Sequence, residues 1–210
     1  MTDQATFSWL ALIGLGAFHG INPGMGWLFA VARGMQDKRR AAVYQALLPL
    51  AFGHGLAVVA ALAIAVGVGA VIPVWVLRWG LAALLLSLGI PRFFRHRHPR
   101  WGSMKVGTGG LTLWSFLMAS AHGAGLMVVP VFVGMTMAAG HHAHGMSAAS
   151  APEAFLATGA HAAGYLLVTA VVAALVFEKF GVALLRRAWF NLDRIWAVAL
   201  VVTGALTLAL

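Results

Sequence analysis

Six long apolar runs with few or no charged side chains take up most of this 210-residue chain, and no other feature constrains its fold as much. To within a few residues they are Ser8–Val31, Ala42–Val68, Ile72–Phe93, Thr108–Ala138, Ala154–Phe177 and Leu192–Leu210. At a rise of 1.5 Å per residue, each is long enough to cross a hydrocarbon layer of roughly 30 Å as a helix. A hydrophobic fraction of 61%, with 9% charged residues and a mean hydropathy of +0.90, leaves too little polar surface for a water-soluble domain. The expected fold is all-α and integral to the membrane, with residues 1–210 forming a single transmembrane domain. The first residues include Asp3 and no positive charge, so no removable signal peptide is read and the first run is expected to stay as a span.

The formal net charge of +9 invites a nucleic-acid reading, but the basic residues sit in the connections rather than on one amphipathic face. Arg33, Lys38, Arg39 and Arg40 follow the first run. Arg92, Arg95, Arg97, Arg100 and Lys105 follow the third, and Lys179, Arg186, Arg187 and Arg194 follow the fifth. The alternate connections, Gly69–Ala70 and Ala139–Glu153, carry no Lys or Arg. The bias toward cytoplasmic positive charge therefore places the odd connections inside the cell and both termini outside, in the cell (inner) membrane. The lipid bilayer is the expected partner and nucleic acid is not; a homo-oligomer is compatible with such a bundle. With no cysteine, disulfides and thiol redox relays are excluded.

The halves of the chain resemble each other. Gly16-Ala17-Phe18-His19-Gly20 corresponds to Ala119-Ser120-Ala121-His122-Gly123, and Phe52-Gly53-His54-Gly55 to Thr158-Gly159-Ala160-His161-Ala162. The repeats run over 1–100 and 101–210, three spans each. An odd number of spans sends the second repeat into the membrane from the opposite face, so the expected architecture is six transmembrane helices as two inverted three-helix repeats. Such repeats characterise secondary transporters, whose sites lie near the midplane where interrupted helices meet. His19-Gly20-Ile21-Asn22-Pro23-Gly24 predicts a break in helix 1, and His122-Gly123-Ala124-Gly125, with Pro130 beyond, loosening of helix 4. Carbonyls freed by a break could then face a substrate.

Four of the nine histidines, His19, His54, His122 and His161, fall inside the runs, near their middles and in matched pairs. A buried imidazole needs a partner to offset its lost hydration. Packing histidines find one in the protein, but imidazole also suits nickel, cobalt, zinc and copper. Asn22 and Met25 stand beside His19 as additional candidate ligands, and no Asp or Glu lies in the centre of any run, which disfavours a hard-cation site. His141, His142 and His144 form a short tract in the fourth connection, read as an accessory metal collector.

The stretch His19-Gly20-Ile21-Asn22-Pro23-Gly24-Met25 resembles the first-helix signature of the NicO-type nickel/cobalt transporters, within the broader LysE-like superfamily of small six-helix membrane transporters. The resemblance implies a permease or exporter that handles a transition-metal cation such as nickel or cobalt as substrate, with no cofactor required. The chain departs from that signature at Met25, where the family typically has a second histidine, and it lacks the acidic residue of the related His-x4-Asp-His nickel permeases.

Two other functions fit the same histidines: LysE-like export of a small organic solute, with imidazoles hydrogen-bonding it, and a membrane b-haem protein with His axial ligands. No enzyme is expected, because there is no intramembrane carboxylate, no recognised nucleophile motif around Ser115 or Ser120, and no nucleotide-binding loop.

Overall fold

A computed structural model of the chain describes residues 2–69, 71–94, 107–138, 151–180 and 192–209. Among the described residues every regular element is helical. They are α1 (Thr2–Ile21), a 3-10 turn (Pro23–Met25), α2 (Trp27–Gln36), α3 (Arg40–Gly69), α4 (Val74–Phe94), α5 (Thr108–Ala121), α6 (Ala124–Ala138), α7 (Ala151–Leu175) running into a π turn (Val176–Phe180), and α8 (Leu192–Ala209).

The 30 residues of α3, and the 28 from Pro152 to Lys179, are each long and apolar enough to cross a membrane. Thr108–Ala121 and Ala124–Thr136 together qualify as a third such segment, bent by 61° at its break. Thr6–Ile21, Trp75–Pro91 and Ala197–Leu208 are shorter apolar helices. The exterior is that of a protein solvated by lipid: Phe7 is 73% exposed, Phe155 74%, Leu48 72% and Phe52 67%. Exposed apolar area on this scale would drive aggregation in water and costs nothing in hydrocarbon.

The first run is interrupted where Pro23 withholds a backbone donor. Asn22 caps the turn, its Oδ1 accepting from the Gly24 N–H at 2.8 Å. Gly26 then starts α2 at φ 147°, a conformation that a side chain would strain. In the fourth run the break falls at His122–Gly123, with Gly123 at φ 73° closing α5. Pro130, which reads in the sequence as part of this loosening, lies buried inside a continuous α6. It removes one backbone bond without ending the helix, because the change of direction has already been made at Gly123.

α1 packs along α7, α5 along α3, and α4 along α8, with α3 against α7 at the centre. Small residues permit these approaches: a Cβ on Gly16 would fall on the His161 carbonyl oxygen, one on Gly164 on that of Ile13, and one on Gly53 on that of Thr112. Three apolar clusters succeed one another along α3. Val43–Leu50 pack with Trp27, Val31 and Ala173. Val58–Ala65 pack with Leu12, Phe132 and Ala157. Between them, around the two breaks, Ala57 joins Met25, Met127, Tyr165 and Leu200.

Candidate functional site

Three of the four histidines that lie within the apolar runs meet in that middle layer. His19 lies in the last turn of α1, His54 at the middle of α3 and His161 in α7, all with 0% exposure. Their ring centroids form a triangle of 5.7 Å (His19–His54), 5.2 Å (His19–His161) and 5.3 Å (His54–His161). His122, half-buried at the end of α5, lies close enough to His19 to couple to it electrostatically.

Hydrogen bonding determines which nitrogen of each neutral ring carries the proton, since a carbonyl can only accept. His19 Nδ1 lies 2.6 Å from the Leu15 carbonyl oxygen and His122 Nδ1 2.9 Å from that of Met118, so both rings donate one turn back along their own helices. His161 Nδ1 donates across to the Leu12 carbonyl of α1 at 3.2 Å. All three therefore hold Nε2 as a lone pair, the arrangement in which a backbone carbonyl orients a ligating imidazole. His54 differs. Its Nε2 is 3.1 Å from His161 Nε2 and must supply the proton of that bond. Its own Nδ1 is left as a buried acceptor with no hydrogen-bond partner among the described residues.

As the chain stands, no group of three or more His, Cys, Asp or Glu side chains among the described residues is arranged to hold a metal ion. The facing Nε2 atoms of His54 and His161 are engaged with each other. Met25 is buried beside Met127 and Tyr165, and the Asn22 oxygen is engaged in capping. His141, His142 and His144 lie outside the described residues.

The carbonyls around the first break, which the sequence suggested could face a substrate, have aromatic donors. Trp27 Nε1 donates to Ile21 O at 2.8 Å, Trp114 Nε1 to Gly24 O at 3.1 Å, and the Tyr165 hydroxyl to Met25 O at 2.7 Å. Tyr165 also lies face to face with His54, at 3.9 Å between centroids and 3° between planes. Sequence reasoning passed over Trp114 and Tyr165. A signal for the second existed: it follows His161 by four residues, one helical turn, and is one of only two tyrosines.

Together the helices and the buried imidazoles define an all-helical membrane protein with a nitrogen-rich polar centre. Comparison of the chain with models of known families, with curated proteins and with solved structures gave no match.

Proposed function

We propose that the chain is a secondary transporter for a transition-metal cation such as nickel or cobalt, built as six spans in two inverted three-helix repeats. The observation that carries this reading is the buried triangle of His19, His54 and His161, drawn from both halves of the sequence. Metal–nitrogen bonds of about 2.0–2.1 Å put neighbouring imidazole nitrogens of one ion at roughly 3.0–3.4 Å. The 3.1 Å between His54 and His161 is in that range; for both Nε2 atoms to ligate one ion, each ring would turn its lone pair off the N···N line and the shared proton would move to the unpartnered Nδ1 of His54, which keeps both imidazoles neutral. A neutral ligand set without carboxylate favours borderline transition metals over calcium or magnesium. The likeness of His19–Met25 to the NicO signature points the same way.

The repeat is supported by the packing, because exchanging the halves turns the α1–α7 pair into the α5–α3 pair and leaves α4–α8 and α3–α7 as they are. The shared orientation of the first and fifth connections is supported by the 2.9 Å ion pair between Arg40 and Glu178, which joins them at one end of the bundle. Single cysteines in this cysteine-free chain test the membrane orientation. Val71→Cys, in the second connection, should be labelled from outside intact cells and Arg39→Cys should not. Labelling of position 39 from outside would overturn the topology.

The site is tested by quantifying nickel and cobalt on purified wild type and on a His19→Ala, His122→Ala double variant. Bound metal in the first and its loss in the second is the expected result. A wild type that takes up neither ion would favour a small organic solute as the cargo.

A further inference from the structure

Two structures that the sequence leaves separate, the α1–α2 break and the imidazole triangle, share one side chain. Tyr165 is fully buried in α7. Its hydroxyl donates to the carbonyl of Met25, the last residue of the 3-10 turn, at 2.7 Å, and its ring covers the whole face of His54 at 3.9 Å. Gly26 sits against the same hydroxyl, so that a Cβ there would come within 3.0 Å of it. Any movement that opens the break must either break the Met25 bond or carry Tyr165 with it, and the second displaces the ring that orients His54.

We propose that Tyr165 is the positioning residue that couples the break to the histidines, its hydroxyl latching the break closed and its ring holding His54 in register with His161. Where it concerns metal binding, this rests on the transporter reading above. The two functions of the side chain separate by substitution. Tyr165→Phe keeps the ring and loses the latch, together with the hydroxyl's contacts to Ser115 and Thr169; Tyr165→Leu loses the ring as well.

Loss of one buried hydrogen bond shifts an opening equilibrium by about two- to tenfold. In Tyr165→Phe, amide hydrogen exchange over residues 22–30 of the protein in lipid nanodiscs should therefore rise by that factor, with α3 and α7 unchanged. As a control, Thr158→Val removes a hydroxyl bond confined to α7, from Thr158 Oγ1 to the Ala154 carbonyl, and should leave the same segment at its wild-type rate. If closure of the break restricts access to the histidines, Tyr165→Phe should also tighten nickel binding by the same factor, since apparent affinity scales with the binding-competent fraction. Tyr165→Leu, with His54 released, should weaken it.

A role confined to packing predicts weakened binding in both variants. Wild-type exchange in Tyr165→Phe, exchange raised throughout the molecule, or the same direction of change in nickel affinity for both variants would overturn the proposal. If neither nickel nor cobalt binds wild type, while exchange over 22–30 still rises only in Tyr165→Phe and Tyr165→Leu, the latch stands and the metal reading fails.

Discussion

Replacing His19 or His122 by alanine is expected to abolish transport of nickel or cobalt by the folded, inserted protein, with His54→Ala and His161→Ala nearly as severe. At His19, His54 and His161 the substitution removes an imidazole from a fully buried position that water does not reach, and at His122 from the half-buried end of α5 beside them. Removing residues that merely orient a metal ligand already costs about 10–100-fold in affinity, so loss of a ligand should exceed the upper end. The glutamine variants are the more informative ones. At position 54 an amide N–H can still serve the His161 lone pair, which preserves the bond seen at 3.1 Å while discarding the imidazole. His54→Gln should therefore remain folded and transport nothing. The measurement is uptake of the ion into proteoliposomes, with helicity by circular dichroism as the folding control. Wild-type rates in the His19 and His122 alanine variants, or in the glutamine series, would remove metal ligation from the account and bring the organic-solute reading forward.

The second large effect is predicted at a residue with no side chain. Gly16 faces α7 so closely that any Cβ would occupy the place of the His161 carbonyl oxygen, and Gly164 repeats the contact from the other helix against Ile13. Backbone cannot move aside as a rotamer can. Gly16→Ala should cost about 1–3 kcal/mol through forced separation of the helices, and Gly16→Leu should prevent α1 from docking on α7. Gly14 and Gly55 provide the comparison, because a Cβ at either meets nothing within 4 Å. Gly14→Ala and Gly55→Ala should be neutral or slightly stabilising, alanine being the better helix former. Thermal unfolding in detergent reads all four. Equal effects at 14 and 16 would mean that the cost comes from helix propensity and not from the close approach. Because His161 donates to Leu12 on the same interface, Gly16→Ala should also lower metal affinity without touching any candidate ligand.

Much of the helical layout was open to sequence reasoning, since long runs without charge leave few alternatives and the Pro23–Gly24 and His122–Gly123 stretches mark where helices give way. The details at the breaks were not. Pro23 shows that a helix will be interrupted, but whether Gly20, Gly24 or Gly26 takes the positive φ depends on how the chain re-enters α2, and it is Gly26. Asn22 reads as a candidate ligand because its amide oxygen is a good donor to metals; its capping bond to Gly24 is a local alternative that composition does not distinguish. Pro130 has the same chemistry as Pro23 but stays within a helix.

Four histidines in similar sequence surroundings, each within an apolar run, were visible as a pattern. Which of them touch is a question of azimuth and tilt, and those follow from glycine contacts between α1 and α7 and between α3 and α5 that no periodicity shows. The order of residues alone is enough to show that the chain is helical and apolar, where two of its runs break, and that imidazoles are the polar groups within them. It took the packed helices to show that His19, His54 and His161 form one cluster, that one nitrogen of His54 has no hydrogen-bond partner among the described residues, and that Tyr165 and Trp114 hold the carbonyls of the break. Helix formation and breaking depend on neighbours within about one turn, whereas these contacts join different helices, most of them across 90 or more positions, and depend on how whole helices pack.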